Sequence, residues 1–307
     1  MPRNLIFLLI ALIGVLACGL PSVSSPPTPV PASATVAAPE VSMPGITVDQ
    51  LKNAQYQIGV RDDRAVVQLT DGVFQQGTDP ATLDYAYIAL TQFTAVGDLT
   101  GDGVDEIAAM FLENFGGTGN FAMLAIYTNV NGQPVFLTSV LIDDRPMVNG
   151  LAVDNGEVFL DAVVHDFDDG ACCPELPSTR RYALVNNQLR LVNYTTGAPT
   201  GVQRVIEITS PANGAEVSGS VQVSGTVTIA PFENTLVYYI HDEAGNQYAA
   251  GPINVTAAEL GGPGTFSENF TLEGIPAGTT IYLELQDQSP ADGQTLMAMD
   301  AVKLFVK

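Results

Sequence analysis

The sequence is poor in several residue types, and each shortage argues against a class of function. It has no tryptophan, 3 cysteines and 2 histidines, and its 11 Lys and Arg residues stand against 33 Asp and Glu, which gives a formal net charge of −22 at pH 7. A surface this acidic repels phosphate groups, so nucleic acids and anionic lipid headgroups are not expected as partners. Because histidine and cysteine are so scarce, a zinc site is not expected either.

Long helical periodicity is also scarce, whereas residues that favour turns are abundant. The chain of 307 residues has 29 Gly and 20 Pro. Apolar and polar residues alternate in segments such as Val221-Gln-Val-Ser-Gly-Thr-Val227, and a period of two is typical of half-buried strands. We therefore predict a mainly β protein with a β-rich (α+β) domain over residues 46–197 and a second β domain over residues 205–307.

The amino-terminal residues have the anatomy of a signal peptide. Arg3 precedes the apolar run Leu5–Ala17, which ends at Cys18 in the segment Val15-Leu-Ala-Cys-Gly19. This segment resembles the lipobox of bacterial lipoproteins, in which the peptide is cut before the cysteine and the thiol carries a diacylglycerol. The resemblance implies a signal peptide over residues 1–17 and lipid attachment at Cys18.

The segment after the cysteine, residues 18–45, is rich in Pro, Ser, Thr and Ala and is predicted to be a lipid-anchored linker. The protein is then expected on the extracytoplasmic face of the cytoplasmic membrane or at the cell surface. The alternative is an uncleaved anchor, but about 20 apolar residues are needed to cross the hydrocarbon core, and Pro21 interrupts the run early.

Asp and Gly cluster in one loop between two apolar segments. Gly103 is the sixth residue of this loop, where a sharp turn needs a residue without Cβ. Oxygen donors stand at positions one, three, five, seven and nine: Asp98, Thr100, Asp102, the Val104 carbonyl and Glu106. The segment Gly97–Ile107 resembles the calcium loop of FG-GAP repeats, and the surrounding region resembles a domain of uncharacterised secreted bacterial lipoproteins. We predict a structural Ca2+ site; the alternative is a tight turn, which the same residue types favour.

The two remaining cysteines, Cys172 and Cys173, are adjacent in the sequence. Outside the cytoplasm thiols tend to oxidise, so a vicinal disulfide is predicted. A pair of free, partly buried thiols is the alternative.

Residues 205–307 contain several short alternating segments at the spacing of an antiparallel sandwich of immunoglobulin type. Their motifs resemble, in order, those of the Gmad2 domain, the immunoglobulin-like domain of bacterial spore-germination proteins: Ser210-Pro-Ala-Asn-Gly, Val223-Ser-Gly-Thr, Pro231-Phe-Glu-Asn-Thr-Leu, Asp242-Glu-Ala-Gly, Gly264-Thr-Phe and Leu285-Gln-Asp-Gln-Ser-Pro-Ala-Asp-Gly293. The resemblance implies an immunoglobulin-like β-sandwich and an association with germination. We expect Phe232 and Phe266 in its core, with a partner contact by Phe232-Glu233 as the alternative.

Together these features predict a membrane-anchored lipoprotein that is not an enzyme and that acts as a binding or assembly module in the cell envelope. Its partner would be an envelope protein or a glycan. The alternative is a secreted hydrolase that uses the acidic cluster near His165, because paired carboxylates can serve as acid and base. The members of that cluster are Asp166, Asp168 and Asp169.

Overall fold

The computed structural model describes residues 45–307, so the predicted signal peptide, Cys18 and nearly all of the linker lie outside the described residues. Strands make up 59% of the structure and helix 3%, which confirms the mainly β prediction. The described part has one short α-helix, α1 (Val48–Leu51), whose amino end is capped by the Thr47 hydroxyl and the Gln50 side chain. Within residues 45–307 no helix is long and apolar enough to span a membrane.

The amino-terminal region contains eleven strands, and its long strands follow one another as antiparallel hairpins. The strands are β1 (Gln55–Gln57), β2 (Val66–Gln68), β3 (Val73–Gln76), β4 (Ala86–Gly97), β5 (Glu106–Asn114), β6 (Phe121–Val130), β7 (Gln133–Asp144), β8 (Met147–Asp154), β9 (Glu157–Val164), β10 (Leu176–Val185) and β11 (Gln188–Gly197). Strands β3 to β7 form one sheet in sequence order, and β1 pairs with β2.

The sheet β3–β7 is buried on both faces at its centre, which explains the continuous apolar sequences of β5 and β6. Successive side chains of a strand point to opposite faces. Accordingly, Ile107, Ala109 and Phe111 pack under α1 and β1, whereas Ala108 and Met110 pack against β8–β11. The amino-terminal region therefore has two cores that share one central sheet.

The carboxyl region contains nine further strands. They are β12 (Gln203–Arg204), β13 (Ile206–Ser210), β14 (Ala215–Val217), β15 (Ser220–Val227), β16 (Thr235–Asp242), β17 (Gln247–Ala257), β18 (Gly264–Thr271), β19 (Thr280–Gln288) and β20 (Leu296–Val306). Strand β17 pairs with β16 along most of its length and with β18 at its end. The strand thus passes from one layer of a sandwich to the other, around a single apolar core.

The two regions are joined by a short stretch of sheet. Strand β11 pairs with β20 through Asn193 opposite Asp300 and Tyr194 opposite Met299, so β8–β11 continue the sheet of the sandwich. The buried Tyr282 packs there with Val185 and Val192. The division of the chain into domains 46–197 and 205–307 stays a prediction.

Candidate functional site

Phe232 is the main departure from the predicted core of the sandwich. Phe266 is buried as expected, but Phe232 keeps 64% of its surface exposed, so the prediction that it is a core residue is wrong. The physical reason is the local backbone. Phe232–Asn234 form a 3-10 turn in which Glu233 and Asn234 both have positive φ, 55° and 56°, and this turn lifts the Phe232 ring out of the sandwich.

The Phe232 turn, residues 231–234, is conformationally costly. Left-handed backbone is uncommon for residues other than glycine, and residues held there concentrate at functional sites. In addition, the Asn234 side-chain oxygen is buried and has no hydrogen-bond partner among the described residues. Buried polar groups are nearly always paired, so a strained turn with an unpaired acceptor beside an exposed aromatic ring is a candidate binding element.

A cleft of about 680 Å3 lies beside the turn. Its apolar lining includes Phe232 and Leu260, and Leu260 is 85% exposed. The Arg204 guanidinium lies 2.7 Å from the Asp287 carboxylate in the same cleft. Burial raises the pKa of Asp287, although Arg204 opposes that shift. Leu260 was not predicted from the sequence, where it is a single leucine before Gly261 and Gly262.

The predicted calcium loop has an ordered backbone centred on Asp98. Its carboxylate accepts hydrogen bonds from the N–H groups of Gly101 (2.7 Å) and Gly103 (2.8 Å), and these hydrogen bonds lower the pKa of Asp98, that from Gly103 most strongly. Gly101 and Gly103 have φ of 79° and 82°, so glycine suits both positions. Among residues 45–307 the Asp102 carboxylate accepts only from the Val104 N–H, at 2.8 Å.

Glu106 is placed differently from the other predicted ligands. It is buried, and its carboxylate accepts from the Leu99 N–H at 3.0 Å and from the Thr128 hydroxyl at 3.3 Å. Burial raises its pKa. Within residues 45–307 no three Asp, Glu, His or Cys side chains converge in an arrangement that could hold a metal ion. Of the five predicted ligands, Thr100 and Asp102 are exposed and Glu106 is buried, and the Ca2+ site stays a prediction.

The predicted acid–base cluster near His165 is not assembled. His165 Nδ1 lies 3.0 Å from Oδ2 of Asp143 on β7, a partner that was not predicted from the sequence. Asp166 and Asp169 instead accept hydrogen bonds from main-chain N–H groups of their own loop, and Asp166 and Asp168 are exposed. The residues of this loop therefore serve mainly to shape it.

The same loop contains a disulfide between Cys172 and Cys173, both of them exposed. Phe167 in this loop is 73% exposed. The protein therefore has another exposed phenylalanine, Phe167, which lies far from Phe232 in the sequence.

The architecture defines a mainly β protein with an immunoglobulin-like sandwich at its carboxyl end. Residues 205–294 match the Gmad2 family, described as the immunoglobulin-like domain of bacterial spore germination. This match confirms the resemblance for the carboxyl region and is consistent with a non-catalytic module. A comparison with curated proteins gives no match. The FG-GAP-like resemblance of the amino-terminal region stays a prediction.

Proposed function

We propose that the protein is a non-catalytic binding module of the bacterial cell envelope, anchored through lipid at Cys18, and that the Phe232 turn contacts a protein partner. The observation that carries the proposal is the exposed Phe232 ring on a strained turn with an unpaired acceptor. The description of the matched family supports a role related to spore germination. The loop around His165 favours this function over the hydrolase because its acidic residues are exposed or bonded to main chain.

The partner is expected to be a basic protein that offers an apolar side chain to the cleft. The chain has a net charge of −22, and Glu233 stands next to Phe232. Charge complementarity speeds association and selects partners, while burial of exposed aromatic rings at the centre of an interface supplies much of the affinity.

The first prediction concerns this surface. A photo-reactive phenylalanine analogue at position 232 or 260 of the full chain, expressed in the source cell, is expected to give the same protein adduct in the membrane fraction. At position 167, where the native phenylalanine is somewhat more exposed than Phe232, the analogue should not give this adduct. With the analogue at position 260, Phe232→Ala should lower the adduct yield about tenfold, because a partly buried aromatic anchor contributes on the order of 1.4 kcal/mol or more.

Phe167→Ala is the matched control and should leave the yield unchanged. Adducts that form equally at positions 232, 260 and 167, or at none of them, would contradict the proposal.

We also infer that the Asp98 loop binds Ca2+ and that the ion stabilises the amino-terminal region. Asp98 already organises the turn through main-chain hydrogen bonds, so its replacement would disturb the loop whether or not calcium binds. Within the described residues the Asp102 side chain accepts a hydrogen bond only from the Val104 N–H, so its replacement disturbs the loop less and is the better test.

The second prediction is that 10 mM CaCl2 raises the melting temperature of the full chain by roughly 3–10 °C relative to chelator. Extracellular calcium modules bind at about 10⁻⁴ to 10⁻³ M, so mass action contributes on the order of 1–3 kcal/mol. Asp102→Ala should abolish the rise, whereas Asp105→Ala, an exposed neighbour outside the ligand set, should keep it. Equal melting temperatures in calcium and chelator would contradict the inference.

A further inference from the structure

A groove in the amino-terminal region has a composition unlike the rest of this acidic protein. It lies between α1, the β1–β2 hairpin and the start of β7, has a volume of about 490 Å3, and has no charged residue in its lining. Five glutamines line it: Gln50, Gln55, Gln57, Gln68 and Gln133. In a chain with 33 acidic residues, a neutral groove lined by amides points to an uncharged ligand.

Some of these amides are held in place by the fold. The Gln68 Nε2 donates to the Asn53 carbonyl at 2.6 Å, and the Gln57 Nε2 donates to the Arg64 carbonyl at 3.1 Å. Because each amide nitrogen is held by a donated hydrogen bond, the side-chain oxygens remain as positioned acceptors. Among residues 45–307 the side chains of Gln55 and Gln133 make no hydrogen bond, so they offer both donors and acceptors.

Apart from Asn53, the remaining lining is apolar. Val66 is 59% exposed and Val135 is 44% exposed. Phe136 is fixed by edge contacts with Tyr56 and Tyr127, at 5.7 Å between ring centroids in each case. Rigid apolar surface beside a few oriented polar groups is the composition of small-ligand sites. Sugars match it, because their hydroxyls pair with amides and their C–H faces pack on apolar side chains.

We propose that this groove binds a neutral polysaccharide. The net charge of −22 disfavours polysaccharides that carry carboxylates or sulfates, and the uncharged lining leaves no cation to neutralise them. A peptide that adds to a sheet bonds to main-chain groups of a strand edge, whereas the polar groups here are side-chain amides. The groove is separate from the Phe232 turn, so the two sites are independent.

The third prediction is that soluble neutral polysaccharide retards the full chain in native gel electrophoresis. The neutral polymers are dextran, hydroxyethyl cellulose and galactomannan, and alginate is the anionic comparison. Retardation is expected with at least one neutral polymer and not with alginate. Val66→Asp, which adds an unpaired charge to the groove, should weaken the retarding interaction about tenfold or more. Gln133→Ala should weaken it about threefold to tenfold, because it removes one hydrogen-bonding amide.

Two controls distinguish this site from the rest of the molecule. Gln247→Ala removes an exposed glutamine outside the groove and should leave the retardation unchanged, as should Phe232→Ala. Because Val66 and Gln133 are exposed, melting temperatures of the variants should match the parent. Absence of retardation in all three neutral polymers would overturn the proposal. So would retardation that Val66→Asp does not weaken, or binding of uncharged peptides without any binding of polysaccharide.

Discussion

Replacement of Glu113 by alanine is expected to lower the free energy of unfolding by about 3–5 kcal/mol, because it leaves three donors without an acceptor. Glu113 lies in β5 and is fully buried. Its carboxylate accepts from the Tyr56 hydroxyl at 2.6 Å and from the N–H groups of Gly59 at 2.7 Å and Val60 at 3.0 Å. One side chain thus fastens β1 and the loop after it to the central sheet.

The Tyr56 hydroxyl is a dependable donor in this arrangement. Burial, and then the neighbouring Glu113, raise the pKa of Tyr56 far above its ordinary value, so the hydroxyl keeps its proton. The ring stacks on Phe111 at 4.4 Å between centroids, which fixes its direction. Tyr56→Phe is therefore expected to cost about 1–3 kcal/mol through the lost hydrogen bond.

Urea denaturation measures this fourth prediction. Glu113→Gln keeps the side-chain volume but has a single acceptor oxygen. Its free energy of unfolding should therefore lie between those of the parent and Glu113→Ala. Glu207→Ala is the control, because Glu207 is exposed and a surface change is expected to stay within about 0.5 kcal/mol. A loss below about 1 kcal/mol for Glu113→Ala would show that the three hydrogen bonds do not form as described.

The second large effect concerns pH and the junction between the two regions. Asp300 on β20 accepts hydrogen bonds from the Asn193 side chain of β11 at 3.0 Å and from the Ile208 N–H at 2.8 Å. Burial raises the pKa of Asp300 to about 6, and these hydrogen bonds only partly oppose it. The folded protein therefore holds the Asp300 proton more tightly than the unfolded chain does.

The fifth prediction follows from that difference. A group with a raised pKa stabilises the fold fully below its unfolded value of 3.8, and this stabilisation is lost as the pH rises through about 6. The shift corresponds to about 3 kcal/mol. The difference in unfolding free energy between the parent and Asp300→Asn should accordingly be smaller at pH 7.5 than at pH 4 by about 2 kcal/mol, because part of the stabilisation is already lost at pH 4.

Asp292 provides the control for the pH series. The Thr295 hydroxyl and neighbouring N–H groups lower the pKa of Asp292 to about 2, so it stays ionised in the folded protein above pH 5. The difference between the parent and Asp292→Asn should then be constant between pH 5 and 7.5. A constant difference for Asp300→Asn over the range from pH 4 to 7.5 would contradict the prediction for the junction.

Part of the candidate site could be foreseen from the sequence. The motif Pro231-Phe-Glu-Asn-Thr-Leu helped to indicate an immunoglobulin-like domain, and that resemblance is confirmed by the family match. However, an aromatic residue in such a motif is expected to lie in the core, because burial of aromatic surface is favourable. Two consecutive left-handed residues expose Phe232 instead. Asparagine tolerates left-handed backbone, but glutamate does not favour it, so the residue types at 233 and 234 do not by themselves predict this turn.

His165 illustrates the same limit. Sequence proximity pointed to Asp166, Asp168 and Asp169 as its partners. The side chain instead contacts Asp143, because the chain returns along β8 and β9 to the end of β7.

The sequence by itself determined the mainly β class and the immunoglobulin-like carboxyl region. These properties are local or nearly so: the period of alternation sets the strands, and Asp and Gly set the turns. Only the tertiary structure decided which distant groups meet. Glu113 collects donors from β1 and the loop after it, Asp300 bonds to Asn193 across the junction, and amides from three elements line one groove. Such contacts depend on how strands pair over long separations, and a local pattern of residues does not specify that pairing.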